Sequence, residues 1–174
     1  RGTPHSGERG ARVSEGHPPP DRRETAREFG AAAVADGTLA GWQAAVAKVP
    51  AARQGYTIAL ELSGSPLSVQ QLLQNADIGA VLVLIGSVFP AGTVAIDPET
   101  TVRGMLTIRG VHNYAPEHLV QAVRFLEGAD APAFAALVGE THPLDAIDTA
   151  VAAARTRAAT RIGLDPGARP TSAR

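Results

Sequence analysis

Small and polar residues follow three apolar stretches of the sequence, at points where strands would end. They are Ser63-Gly64, Gly86-Ser87 and Gly110-Val111-His112-Asn113. Glycine lets a ligand approach the backbone closely, but it also simply permits a tight turn. For one glycine alone both interpretations stay open. Three such endings favour a shared ligand-binding edge.

Segments with strand and helix patterns alternate along the middle of the chain. The stretch AVLVLIG is continuously apolar, as is typical of a strand buried on both faces of a parallel sheet, and apolar residues three and four apart indicate amphipathic helices. Asp21 should cap the first helix and Gly30 should end it. The predicted helices are 21–31, 39–49, 65–76, 116–128 and 143–157, and the predicted strands are 56–64, 80–86, 105–110 and 160–164.

This alternation predicts an α/β fold with three layers and a mainly parallel sheet. In such sheets ligands bind beyond the carboxyl ends of the strands, where the three small-residue endings would lie. The two ends of the chain are rich in glycine, proline and charge. We therefore expect residues 1–20 and 165–174 to be disordered, and residues 21–164 to form the ordered domain.

Composition excludes several classes of function. The net charge of −1 gives no electrostatic basis for binding nucleic acid or an anionic membrane. The chain has no cysteine, which excludes disulfides and thiolate metal sites and fits a cytoplasmic location. No apolar run approaches the ~20 residues that a membrane-spanning helix needs.

Several blocks resemble the C-terminal half of medium-chain, zinc-type alcohol dehydrogenases. They are TIALELSGSP, GAVLVLIGSVFP, DPETTVRGMLTIRGVHNY and LVGETHPLDAIDTAVAAARTRAATRIGLD. The pattern GSVFP…TIRGVHNY is most similar to the branch associated with phosphonate metabolism. The resemblance implies a partial Rossmann-like fold that lacks its first strand or strands, in a chain truncated or split from a longer oxidoreductase.

The resemblance also implies binding of NAD or NADP. In this family the strand that matches residues 105–110 ends beside the nicotinamide, whose carboxamide is held by backbone groups just after the glycine. The implied contacts are with the adenosine and ribose side (Ser63, Gly64), the nicotinamide ring (Ile85, Gly86, Ser87), its carboxamide (Val111, His112, Asn113) and the pyrophosphate (Arg161). An exposed arginine beside a strand is the alternative for Arg161.

Two features of the family have no counterpart in these residues. The fingerprint G-x-G-x-x-G, which places pyrophosphate at a helix N-terminus, does not occur. The family's zinc ligands belong to an N-terminal catalytic region that the resemblance does not cover. We therefore assign no catalytic and no metal residue, and expect no hydride transfer from this chain alone. A small-molecule alcohol would be the substrate of a complete enzyme only.

A non-catalytic dimerisation or binding module derived from the dehydrogenase fold is the alternative. In the family the strand that matches residues 105–110 is a sheet edge that pairs with its copy in a second subunit. An uncovered edge exposes unpaired N–H and C=O groups. The preceding loop, 88–102, carries apolar side chains that would otherwise be exposed. We expect a homodimer through this strand and loop, or else a monomer whose loop covers its own edge.

Several histidines and arginines are candidates for further sites. His112 and His118 are six residues apart without a well-spaced third ligand, so a metal pair is rejected and His118 should lie on the exposed face of its helix. His142 should serve packing or capping in a turn. Arg22 and Arg23 either meet the 2′-phosphate of NADP or lie at a solvated helix start.

Overall fold

Every strand pair among the residues that the computed structural model describes is parallel. The structure describes residues 14–16, 19–49, 55–128 and 131–168. In the described part the strands form three sheets, ordered β1-β2, β3-β4-β5 and β6-β7. The strands are β1 (Ser14–Gly16), β2 (Ala33–Ala35), β3 (Tyr56–Glu61), β4 (Ala76–Leu84), β5 (Thr107–Gly110), β6 (Val138–Pro143) and β7 (Arg161–Asp165). The predicted α/β fold with mainly parallel strands is confirmed, although these strands do not join into one sheet.

Helices connect the strands, as parallel pairing requires. They are α1 (Pro20–Glu28), α2 (Leu39–Ala47), α3 (Pro66–Gln74), α4 (Pro98–Arg103), α5 (Pro116–Gly128), α6 (Ala131–Ala135) and α7 (Ile147–Thr156), with a 3₁₀ turn at Leu144–Ala146. The chain divides into two compact units, residues 1–114 and 115–174. In the described residues no helix is long and apolar enough to span a bilayer.

The structure adds short elements that the sequence did not predict. They are β1, β2, α4, α6 and β6. A three-residue strand such as Ala33–Ala35 carries too little periodicity to be recognised, and only its pairing with β1 defines it. β1 lies inside the stretch 1–20 that was expected to be disordered, and α1 begins there too. Residues 1–13, 17–18 and 169–174 of the two predicted disordered ends lie outside the described residues.

Side-chain caps begin three of the helices. The hydroxyl of Thr38 accepts a hydrogen bond from Gly41 N (3.0 Å), and the hydroxyl of Ser65 accepts one from Ser68 N (3.5 Å). The carboxylate of Asp97 accepts from Glu99 N (3.0 Å) and from the Thr100 hydroxyl (2.6 Å). The Thr100 bond in particular lowers the pKa of Asp97. These caps satisfy N–H groups that have no partner within a helix.

The first helix does not begin as predicted. Pro19 occupies the cap position without a side-chain hydrogen bond, and Asp21 lies within the first turn, so the predicted Asp21 cap is wrong. Proline has a φ that suits the first helical position, so Pro20 starts the helix earlier than the acidic residue would. The predicted end is confirmed: Gly30 has a φ of 90° and donates to Arg27 O at 2.8 Å.

Two buried clusters form the core of the first unit, and Trp42 packs against both. One cluster joins β3 and β4 to α3 through Ala59, Val69, Leu72 and Leu82. The other joins β2 to α2 through small side chains, Ala33, Ala35 and Ala45. The Trp42 ring also lies against Gly16, where a Cβ would come 2.4 Å from Trp42 Cζ2. One indole therefore connects both clusters with the end of β1.

The second unit packs α7 beside the β6–β7 pair. Ala150 of α7 is buried, and the rings of Phe125 and Phe134 meet edge to face with centroids 5.9 Å apart. His142 was predicted in a turn, but it is part of β6. Pro143 then ends that strand, so the final helix begins at Ile147, later than the predicted residue 143.

Two leucines of α3 test the position of the core. Leu72 is 6% exposed, whereas Leu67 is 64% exposed. Leu72→Ala should lower the free energy of unfolding by about 2–5 kcal/mol because it leaves a cavity. Leu67→Ala should change it by no more than about 0.5 kcal/mol. Urea unfolding of both variants measures the difference, and equal losses would contradict the packing described above.

Candidate functional site

Three strands of the first unit end in one row. The register pairs Glu61 with Leu84 and Leu84 with Gly110, so β3, β4 and β5 finish side by side. The segments that follow, 62–65, 85–87 and 111–113, therefore leave the same edge of the sheet. We call these three segments the carboxyl edge. The expectation that the small-residue endings share one edge is confirmed.

The first two segments of the carboxyl edge touch backbone to backbone. Gly64 has a φ of 71°, and a Cβ on it would come 2.5 Å from Gly86 O. A Cβ on Gly86 would come 2.3 Å from Leu62 C and 2.4 Å from Gly64 N. Glycine is needed at both positions because backbone atoms cannot rotate out of the way. The structural explanation of Gly64 and Gly86, a tight turn with close packing, therefore holds whether or not a ligand binds.

The third segment, 111–113, is hydrogen-bonded to the end of β4 but is more exposed than the other two. Val111 N donates to Leu84 O at 2.9 Å, which extends the pairing of β5 with β4 by one bond. Val111, His112 and Asn113 are exposed, and Asn113 has a φ of 59°. A Cβ on Gly110 would meet nothing within 4 Å. Open space thus adjoins the end of β5, in contrast to the contact between Gly64 and Gly86.

A buried carboxylate, which the sequence analysis did not identify, lies beneath the first segment. Glu61 is 1% exposed and accepts hydrogen bonds from Ser63 N (2.9 Å), the Ser63 hydroxyl (2.5 Å) and Gly64 N (3.0 Å). A signal was available in the sequence. An acidic residue closes the apolar strand YTIALE and comes two residues before Ser-Gly, within reach of the amides of that turn.

The predicted site residues fall into two groups. Eight of them belong to the carboxyl edge of β3, β4 and β5: Ser63, Gly64, Ile85, Gly86, Ser87, Val111, His112 and Asn113. Arg161 belongs to the other unit, where it begins β7 opposite Val138 and donates to Thr160 O at 2.9 Å. It is exposed, as the alternative of a surface arginine beside a strand requires. Its pairing with pyrophosphate stays a prediction.

His118 and His142 have local roles. His118 is exposed, as predicted, and its Nδ1 accepts from Ala115 N at 3.2 Å across the start of α5. His142 is largely buried, with its Nε2 3.5 Å from a carboxylate oxygen of Glu140, in keeping with packing. In the described ranges no three His, Asp or Glu side chains are grouped to hold a metal ion, and the sequence has no Cys. These residues do not fit a zinc site.

This fold and its carboxyl edge are those of a Rossmann-like α/β protein. An alcohol dehydrogenase from Thermotoga maritima superposes with a TM-score of 0.77 at 20% identity, covering 88% of this chain and 42% of that one. Benzyl alcohol dehydrogenase from Acinetobacter calcoaceticus superposes with a TM-score of 0.75 at 23% identity, again covering 88% of this chain and 42% of that one. The family model described as zinc-binding dehydrogenase matches residues 8–128. The chain belongs to the zinc-binding dehydrogenase family.

Curated relatives are named as L-threonine 3-dehydrogenases. The protein from Streptomyces avermitilis is 33% identical over 95 residues, which is 53% of this chain and 26% of the relative. The protein from Solibacter usitatus is 39% identical over 59 residues, which is 34% of this chain and 17% of the relative. The chain thus spans about a quarter or less of these relatives. The resemblance to the zinc-type superfamily is confirmed, and the phosphonate-associated branch stays a prediction.

Two glycines at adjacent strand ends test the contact within the carboxyl edge. Gly86→Ala should lower the free energy of unfolding by about 1–3 kcal/mol, because its Cβ would overlap the backbone of residues 62–64. Gly110→Ala is the matched control and should cost no more than about 0.5 kcal/mol, since the space beside it is open. Urea unfolding reports both values. Similar values for the two variants would show that the first two segments are not in contact.

Proposed function

We propose that this chain is the nucleotide-binding portion of an NAD(P)-dependent, zinc-type alcohol dehydrogenase and holds the cofactor at its carboxyl edge. The observation that supports this most strongly is the common row of Glu61, Leu84 and Gly110, which sends three glycine-containing segments to one side of the sheet. Ligands of parallel sheets bind at such edges. Membership of the zinc-binding dehydrogenase family supports the same assignment.

Each segment has a proposed task. Backbone groups of Val111 to Asn113 hold the nicotinamide carboxamide, beside the open space at Gly110. Residues 85–87 lie against the ring, and Ser63 and Gly64 flank the adenosine and ribose side. A bound nicotinamide would supply the hydride-transfer chemistry of a complete dehydrogenase.

The substrate class that we propose is a small-molecule alcohol. L-threonine is itself a secondary alcohol, and the names of the relatives make it the first compound to assay. The sequence contains no G-x-G-x-x-G fingerprint. Among the residues that the structure describes, no group of side chains could hold a zinc ion. We therefore propose that they do not turn over alcohol without the rest of a dehydrogenase.

Cofactor binding tests this proposal. The chain should bind NAD with a dissociation constant in the millimolar range or weaker, about −4 kcal/mol or less favourable, because the pyrophosphate anchor is missing. Nicotinamide mononucleotide should bind about as well, since most of the proposed contacts, those of residues 85–87 and 111–113, are with the nicotinamide. Calorimetric or NMR titration measures both. Micromolar binding of NAD would contradict the missing-anchor argument.

Variants locate that binding. Gly110→Ala should weaken nicotinamide mononucleotide by roughly tenfold, since its methyl group enters the space proposed for the carboxamide. Gln74→Ala changes an exposed residue at the far end of α3 and should have no effect. Equal affinities for the two variants would place the ligand elsewhere.

A non-catalytic dimerisation module is the second candidate, and the edge strand β5 favours it. Phe89 and Val102, near β5 in sequence, are 81% and 75% exposed, so both remain available to a second copy. Val94 is not available to a second copy, because it packs against the core of its own unit. The strand is shorter than the predicted 105–110: it begins at Thr107, and Met105 has a left-handed φ of 48°.

A proline in β5 tests the dimer. Val111 N points to β4, and because N–H directions alternate along a strand, Ile108 N points away from β4. Ile108→Pro therefore removes a donor from the free edge, and should convert a β5-paired dimer into monomers with helical content unchanged. Sedimentation of both proteins at tens of micromolar decides it. A clean monomer of the unmodified chain would refute the pairing.

A further inference from the structure

Glu61 holds together two segments of the carboxyl edge. Its carboxylate accepts three hydrogen bonds, all from Ser63 and Gly64. Its backbone oxygen accepts two more, from Ile85 N and Gly86 N, each at 2.9 Å. The side chain therefore fixes the segment after β3, and the main chain of the same residue fixes the segment after β4.

This arrangement also determines what Ser63 does. Its hydroxyl donates to Glu61 and accepts from Ser65 N at 3.1 Å. Ser65 in turn caps α3. The Ser63 side chain, predicted from the family resemblance to flank the cofactor, thus connects Glu61 to the start of the helix.

A carboxylate is required here by the number and direction of the donors. One carboxylate oxygen accepts from both Ser63 groups, and the other accepts from Gly64 N. Glutamine has a single acceptor oxygen, so its NH₂ group would face either Gly64 N or Ser63 N. Two donors facing each other at a site that is 1% exposed cannot both be satisfied without moving the backbone.

We propose that Glu61 is a positioning residue for the cofactor. Its carboxylate sets the path of residues 62–65, and the contact of Gly64 with Gly86 passes that position on to residues 85–87. This inference rests on the proposed function, because the cofactor is proposed to lie against those residues. Glu61 itself, buried beneath the turn, does not touch the ligand.

Three variants of the full chain test the proposal. Glu61→Gln replaces one of the two acceptor oxygens with an NH₂ group. Ser63→Ala removes two hydrogen bonds of an exposed side chain, the one donated to Glu61 and the one accepted from Ser65 N. Asn75→Ala is the matched control, since Asn75 is also buried and hydrogen-bonded, with its amide donating to Gln71 O at 2.8 Å, but lies at the opposite end of α3. For each variant, urea unfolding, ¹⁵N amide spectra and titration with nicotinamide mononucleotide are recorded.

The expected results separate positioning from general destabilisation. Glu61→Gln and Asn75→Ala should both lower stability, but only Glu61→Gln should shift the amide signals of Gly64, Ile85 and Gly86. Glu61→Gln should also weaken nicotinamide mononucleotide by roughly tenfold, equivalent to about 1.4 kcal/mol. Ser63→Ala should shift the same signals to a smaller extent, and it supplies the test if Glu61→Gln does not fold.

Failure of this inference is distinguishable from failure of the proposed function. Unchanged signals for Gly64 and Gly86 in Glu61→Gln and Ser63→Ala, or equal weakening of binding by Glu61→Gln and Asn75→Ala, would overturn the role of Glu61. If nicotinamide mononucleotide perturbs no carboxyl-edge signal in the unmodified chain, the proposed binding fails. In that case the amide shifts of Gly64, Ile85 and Gly86 in the variants still test whether Glu61 fixes the positions of residues 62–65 and 85–87.

Discussion

Parallel pairing in register is the constraint on which the rest of the first unit depends. It puts the ends of β3, β4 and β5 in one row, so that the segments after them must share the space beyond one edge. Two of those segments can share it only because glycine occupies both contact points, Gly64 and Gly86. A shift of one residue in the pairing of β3 with β4 would separate these glycines and turn the apolar side chains of the shifted strand to the other face.

Helix α3 connects the carboxyl edge to the hydrophobic core. Helix α3 begins with the Ser65 cap, which receives its position from Ser63 and Glu61. Farther along the same helix, Val69 and Leu72 pack on Ala59 and Leu82 of the sheet. Core packing therefore holds the helix against the sheet while hydrogen bonds set where it starts.

The two faces of this sheet differ. Leu82 is 2% exposed on the face that α3 covers, whereas Ile58 and Leu60 are 68% and 58% exposed on the opposite face of β3. The sequence AVLVLIG predicted burial on both faces, and half-buried Val81 and Val83 show that the described residues achieve it on only one. The apolar composition of these strands thus exceeds what the first unit buries by itself.

Local sequence determined the longer elements and their chemistry. Apolar periodicity predicted α2, α3 and α5, continuous apolar stretches predicted β3 and β4, and the small residues after the strands indicated the carboxyl edge. These features are recognisable because a single strand or helix expresses them in its own side-chain pattern. Even the Gly30 helix end follows from one residue's conformational freedom.

Tertiary structure alone decided the features that depend on distant partners. β1 and β2 are strands only because they pair with each other, and Gly16 needs its lack of a side chain only because Trp42 packs there. The bonds of the Glu61 carboxylate to Ser63 and Gly64 are local, but only the pairing of β3 with β4 brings Ile85 N and Gly86 N to the backbone oxygen of Glu61. Burial and pairing are properties of several segments at once, so no local pattern encodes them.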